Sequence, residues 1–593
     1  MRRMKGAAGL LTALLLAFQL SAQTFALANE DNGIKVVPVN FTHNGYSYEI
    51  EGVAKSTDGD YQIKSPARLA ARKLPSTYDP RSSGEITTVK DQASTGACWA
   101  FSALACAEQD LIKKGLENPS TEFSVPALVL SSNSGTATGK DDFSSGGNWL
   151  FAASALANGQ GLCYEDYEPF LESGTENMIV SENKKSVSEY RLNYVMELSS
   201  TTQVKRKIME LGAVSASYFA GNGYMNHNNT AYYDPDASKN TIINHSVTVV
   251  GWDDNYSKDN FRYKPANNGA WLVKGSWGAD QDNDGFYWVS YDEAEFGQFC
   301  CYDFEESCDN TYHYSKMTGY VVNASNDGSV YGANVFTAKA DEKLDKAGFM
   351  YVGKTGSADY TLSVYTDVSD SDPIGVLETQ ISGSVSANGF YTVDFPEDIL
   401  LEEGEKYSIS VKFSGDSGRG YLLAESDRTS KAQSGQSYVS LNGKYWSDVG
   451  ADKTDSIGSL FIYAYTDDTA KPDKSSLEST LAKYGTLAGC EREANNARTV
   501  LADETASKND ISNAQKLLIS AAEEQDEALV ITTEAQWESF AKRVSSGESF
   551  EGKLVTLEAD LDFDGKTISP VGDSENPFMA VSYTHLRAHE TGA

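Results

Sequence analysis

Basic residues are scarce in this chain: 49 Lys and Arg stand against 84 Asp and Glu, a formal net charge of −35 over 593 residues. That deficit excludes nucleic acid as a partner, because such binding rests on neutralising phosphates. Proline is sparse too, with 14 in all, yet 40% of residues are hydrophobic and 11% aromatic, so real cores form and global disorder is excluded. Seven cysteines are too few for a disulfide-built scaffold, and their spacing matches no zinc site. No apolar run reaches the roughly 20 residues of a membrane span. Histidine is the rarest titratable residue, at six, so each one is informative.

What is present divides into segments, several domains being expected at about 150 residues each. Arg2, Arg3 and Lys5 precede an apolar run from 7 to 20, and Ala26-Leu27-Ala28 gives a small-x-small cleavage pattern. Residues 1–28 therefore read as a signal peptide, with cleavage near Asn29 and a secreted or cell-surface protein. Residues 29–73 form a short polar pro-region or linker that ends in Arg72-Lys73. Residues 74–305 have the texture of a packed domain. Trp99, Ala103, Cys106, Ala107 and Leu111 follow helical spacing, and strand-like runs cover 247–251 and 270–273, so this domain is α+β, helical first and β-rich second.

From 310 to 467 the period becomes two, as in Tyr360-Thr-Leu-Ser-Val-Tyr365, Tyr407-Ser-Ile-Ser-Val-Lys-Phe413 and Ser459-Leu-Phe-Ile-Tyr-Ala-Tyr465. This predicts an all-β sandwich, with its tyrosines assigned to packing rather than to sugar stacking. Residues 473–528 read as a small helical hairpin module of two antiparallel helices. Residues 532–579 begin a further, truncated β-repeat. Residues 580–593 resemble adapter-derived sequence and are set aside.

The string that carries chemistry is Asp91-Gln-Ala-Ser-Thr-Gly-Ala-Cys98-Trp-Ala-Phe101. A cysteine on a turn that opens a helix has its thiolate favoured by the helix dipole and free N–H groups. The candidate base is His245, at the head of the apolar run Asn244-His-Ser-Val-Thr-Val-Val-Gly-Trp-Asp253. His227 lies instead in a polar loop. The aspartates of Asp280-x-Asp282-x-Asp284-Gly285 begin like a calcium loop, but position twelve is Tyr291 where a Glu belongs. No metal and no cofactor is assigned.

These residues resemble the papain family of cysteine peptidases. The likeness extends to Leu74-Pro-Ser-Thr-Tyr-Asp-Pro-Arg81, Ser145-Gly-Gly-Asn148 and Trp271-Leu-Val-Lys-Gly-Ser-Trp-Gly278. The resemblance implies Cys98 as nucleophile, His245 as base and acid, and Gln92 as an oxyanion donor. It further implies that Gly146, Gly147 and Asn244 line the substrate site and that Trp277 shields His245. The family's third catalytic residue, an Asn, is replaced by Gly275. Thr95 stands where the family carries a cysteine, and Gln281 stands near the place of a second Trp. The region after 310 resembles the lectin-like domain that follows such peptidases in exported bacterial proteins, and 473–528 resembles small FIVAR-type surface repeats. The expected function is a secreted endopeptidase acting on protein or peptide substrates, with accessory domains for a cell-surface glycan or cell-wall ligand. The alternative is an adhesin with a degenerate peptidase domain.

Overall fold

The computed structural model describes the chain from 74 to 531 except 133–142, 144–145, 161, 168–169, 171–188, 222, 238–242, 280–281, 316–319, 324–328, 354–355, 370, 416–420, 427–431, 452–456, 471, 488, 504–505 and 528. Outside that span it describes 35–38, 42–43, 46–47, 537, 540–542, 544 and 555–557. The expected signal peptide, the basic run at 72–73, Ser145, Asp280, Gln281, most of 532–579 and the final segment lie outside the described residues.

Helix α1 (Cys98–Lys114) is the axis of the first domain. Its sequence is rich in Ala and ends in Lys113-Lys114 with Gly115 in the left-handed region at φ 71°, a favourable helix end for both charge and geometry. The spacing predicts one apolar face. The structure instead buries every residue from Cys98 to Leu111, because helices pack on one side of α1 and strands on the other. Burying Glu108 and Asp110 then requires partners. Glu108 accepts from the Thr87 hydroxyl at 2.6 Å and the Phe123 N–H at 3.1 Å. Asp110 accepts from the Phe304 N–H at 2.7 Å and from Lys114 at 2.9 Å. Helices α2 (Val125–Ser132) and α3 (Trp149–Ala157) complete the helical half. Asn148 caps α3 by accepting from the Leu150 N–H at 2.9 Å.

The β-rich half is a sheet of β1 (Thr77–Tyr78), β2 (Tyr190–Leu198), β3 (Val214–Tyr218), β4 (Ala231–Tyr232), β5 (His245–Asp253), β6 (Ala270–Lys274), β7 (Phe286–Ser290) and β8 (Gly297–Glu306). Both strand-like runs of the sequence are strands, each slightly longer than expected. Helix α4 (Thr201–Leu211) lays Val204, Ile208 and Leu211 on a core with Val247, Val249, Trp252, Trp271 and Val273.

The sheet does not stop at the domain boundary. Its order is β9-β12-β10-β11-β2-β8-β3-β5-β6-β7-β4, where β9 (Asn310–Tyr312), β10 (Glu342–Tyr351), β11 (Gly389–Leu401) and β12 (Ile462–Asp468) come from the second domain. The join is antiparallel pairing of Gly389 with Met196 and Phe390 with Val195. A six-stranded sheet built around Ser329–Thr337, Ala358–Thr366 and Lys406–Ser414 makes up much of the rest of that domain. In a third, four-stranded sheet, Tyr320–Asn323 pairs in backbone register with Lys35–Pro38. Tyr312, Tyr351, Tyr407, Tyr438, Tyr463 and Tyr465 are all buried, which agrees with the packing role expected for tyrosine here.

The helical module forms a separate unit. It has three helices rather than two: α5 (Ser475–Tyr484), α6 (Glu491–Ala502) and α7 (Lys508–Glu527). Gly485 and Gly489 interrupt the first half, and Leu477, Cys490, Ala494, Ala497, Ala514 and Leu518 share its core.

Candidate active site

Cys98 opens α1, so its backbone N–H is one of the helix's unpaired donors. The turn before it is tightly braced. Ala93 adopts φ 52° and donates its N–H to Asp91 at 2.8 Å. The Thr95 hydroxyl donates to the Gln92 carbonyl at 2.7 Å, a local tie where the resemblance leads one to expect a cysteine. Gln92 is buried; its Oε1 accepts from Ser276 at 2.6 Å and its Nε2 donates to the Thr95 carbonyl at 2.8 Å. The second Nε2 hydrogen remains for another acceptor.

His245 is the first residue of β5 and is 5% exposed. The ring of Trp277 stacks on its imidazole, with centroids 4.4 Å apart and planes within 5°. Trp277 itself is 39% exposed and forms the outer lid of that stack. His245 Nε2 is buried without a hydrogen-bond partner. Burial holds the imidazole down at about 3. Burial also raises the Cys98 thiol, against the opposing pull of the backbone and hydroxyl of Ser246. Because Ser246 follows His245, this contact brings the head of α1 to the head of β5. Both shifts favour a neutral thiol and a neutral imidazole in the resting protein.

Asn244 anchors the approach to His245: its Oδ1 accepts from the Ala220 N–H at 2.7 Å and its backbone N–H donates to the Tyr218 carbonyl at 3.2 Å. Gly146 and Gly147 lead into α3, Gly146 at φ 72°. A Cβ on Gly147 would come within 2.5 Å of the Trp99 indole, so only glycine fits at that approach. Gly275 follows β6; its N–H donates to the Gly285 carbonyl at 3.1 Å. His227 is exposed, as its loop suggested.

Sequence reasoning did not single out Ser246 and Ser276, which touch Cys98 and Gln92, nor Tyr218, whose ring packs on His245, and its partner Tyr287. Ser276 sits inside a quoted motif and could have been found there. Tyr218 and Tyr287 look like ordinary strand residues.

Residues 74–321 match the model for the papain family of cysteine proteases, and 311–466 match that for a lectin-like domain. Among known proteins, mouse cathepsin K is 24% identical over 216 residues, covering 36% of this chain and 59% of its own length. Cat procathepsin L is 28% identical over 224 residues, covering 37% and 62%. The chain thus spans about three-fifths of the curated relatives it matches. The crystal structure of the cysteine protease and lectin-like domains of Cwp84, a surface layer associated protein of Clostridium difficile, aligns at TM-score 0.60 and 25% identity over 74% of this chain and 99% of that one. A second structure of the clostridial cysteine protease Cwp84, after propeptide cleavage, aligns at 0.59 and 27%, over 66% and 99%. With helix, sheet and site in this arrangement, residues 74–321 belong to the papain family of cysteine proteases, and a lectin-like domain at 311–466 follows them.

Proposed function

We propose that this protein is an exported cysteine endopeptidase whose lectin-like domain directs it to a cell-surface glycan or cell-wall ligand. The observation that carries the reading is the meeting of Cys98, on the first turn of α1, with the Ser246 end of β5, where His245 lies beneath Trp277. Because the resting pair is neutral, His245 acts as general base: it takes the thiol proton as sulfur attacks the peptide carbonyl. The oxyanion is met by the Cys98 N–H and the second hydrogen of Gln92 Nε2. Losing one such donor costs roughly 10²–10³ in rate. Imidazolium then protonates the leaving amine, and water, activated by the same ring, hydrolyses the thioester. Gly146 and Gly147 hold extended substrate by backbone pairing, and Trp277 keeps water from the imidazole. A secreted or surface location rests on the leader at 1–28 and on the surface-layer association named for Cwp84.

The adhesin reading draws its support from Gly275 and the partnerless Nε2. One experiment separates the two. An epoxide inhibitor should label Cys98 and block cleavage of a fluorogenic peptide, and Cys98→Ala should abolish turnover in a folded protein. Cys106→Ala should keep activity, because Cys106 is fully buried two turns deeper in α1. Absence of labelling at Cys98 in folded protein would leave the adhesin.

A further inference from the structure

His245 Nε2 lacks a partner, and Gly275, which stands where the family carries an Asn, has no side chain to offer one, yet the space there is not open. The Gly275 backbone lies outside the positive-φ region, so a side chain is not barred by conformation. A Cβ on it would lie 3.4 Å from Cε1 of Tyr287 and 3.1 Å from the Gly285 carbonyl. The Tyr287 ring therefore packs against the place where a side chain at 275 would start. Its hydroxyl is 2.8 Å from that of Tyr218, and both residues are buried. Tyr218 is the cross-strand partner of His245 in the β3–β5 ladder, and its ring approaches the imidazole at 5.9 Å and 62°.

A buried pair of phenol groups, one of whose rings packs edge-on to the imidazole, is an unusual use of core space. The hydrogen bond between them consumes one of their two hydrogens, so the pair still holds one hydrogen and several lone pairs. Apolar side chains would fill the same volume without desolvating two hydroxyls. We propose that Tyr287, backed by Tyr218, is the positioning residue of His245, in place of a side chain at 275. This rests on the peptidase reading above. An amide oxygen can only accept, and so favours imidazolium. A tyrosine hydroxyl can do the same: when the thiol proton goes to the other ring nitrogen, Nε2 keeps its hydrogen in both charge states, and the hydroxyl lone pairs accept from it. In the resting structure Nε2 makes no direct bond; the contact forms as the ring takes up its proton. The depressed imidazole pKa agrees with a site that does not stabilise the cation beforehand.

The test is Tyr287→Phe in the full chain, which keeps the ring and removes the hydroxyl. We expect the catalytic constant for a fluorogenic peptide to fall about tenfold, the worth of one ordinary hydrogen bond. KM should change less than twofold, and the acid limb of the pH–rate profile should move. Gly275→Asn alone should gain little, because Tyr287 packs against that place; Gly275→Asn with Tyr287→Val should recover activity to within threefold of the parent. Tyr218→Phe should give a severalfold loss with the same profile change, and it stands in if Tyr287→Phe folds poorly. Unchanged catalytic constants and pH profiles in the hydroxyl-deleted proteins, with Cys98 still labelled by the epoxide, would overturn the positioning role and leave the peptidase reading intact. Failure of the parent protein to label at all would overturn both.

Discussion

His245 carries a charge state on which both the proposed catalysis and the stability of the fold depend. Its imidazole is held at about 3 in the fold against about 6.5 in an unfolded chain. Between those values the unfolded state binds the extra proton, so stability is complete above pH 6.5 and is lost as pH falls through that window. The slope approaches 1.4 kcal/mol per pH unit. Asp110 and Glu293, each raised to about 7 by burial, oppose this trend between their ordinary values and 7, so the total curve hides it. Subtraction removes them. Urea unfolding of the parent and of His245→Gln from pH 7 down to 4.5 should show the parent's stability, relative to the variant, falling by about 1 kcal/mol per unit, and parallel curves would refute the shift. Cys98 and His245 were legible in the sequence because the reaction constrains which residues flank them. Tyr287 was not: Phe286-Tyr-Trp-Val-Ser290 reads as any half-buried strand, and only the register of β6 against β7 sets its ring beside Gly275.

At the scale of elements, β5 does two tasks: its first residue is His245, and its far end holds the entry segment of the domain. There β1 pairs Thr77 with Asp253 and Tyr78 with Trp252, and the Trp252 indole donates to the Pro75 carbonyl at 3.1 Å. The β5–β6 register shifts between Val249 and Gly251, which presses Gly251 against β1. A Cβ on Gly251 would sit 2.3 Å from the Tyr78 carbonyl oxygen. Gly251→Ala should therefore push β1 off β5 and cost about 1–3 kcal/mol, read as a lowered urea midpoint; an unmoved midpoint would mean that β1 yields freely. The short apolar runs at 247–251 and 270–273 marked β5 and β6 well, whereas further on the reading relied on alternation. It failed at Ser459-Leu-Phe-Ile-Tyr-Ala-Tyr465, which reads as one strand. The chain leaves one sheet after Leu460 and joins another at Ile462, with the Phe461 N–H donating to the Leu423 carbonyl and its own carbonyl accepting from Met350. Nothing in a period of two marks such a crossing.

On the scale of the molecule, protease and lectin-like domain form one compact unit. Glu197 of β2 is half-buried, with its carboxyl raised by desolvation, and its two oxygens accept from Trp149 Nε1 at 3.1 Å and Asn388 Nδ2 at 3.0 Å. Thus the lectin-like domain helps hold the tryptophan that starts α3, next to Gly147. Arg191 lies over the Tyr465 ring at 4.2 Å, and the Asn158 amide donates to the Ser315 carbonyl at 3.1 Å. A chain of residues 74–470 should unfold in one cooperative transition, and a piece ending at 309 should unfold at lower denaturant, having uncovered the β2 edge and Glu197. Two separate calorimetric transitions in 74–470 would contradict this. Composition and texture separated a peptidase-like stretch from the β-rich one that follows it, which agrees with the two family matches. The seam between these two stayed hidden because two residue pairs make its ladder, and their sequence partners are far apart.

That distance has a consequence in time. Asn388 and Glu197 are 191 positions apart, so a chain emerging N-terminus first at roughly 5–20 residues per second leaves β2 without its neighbour for roughly 10–40 s. Contacts of such long range are also slow to close once both ends exist. Cys98, His245 and the glycines at 146 and 147 are thus all made well before the sheet beside them can be finished, and the proteolytic competence proposed for them comes late in the birth of the molecule.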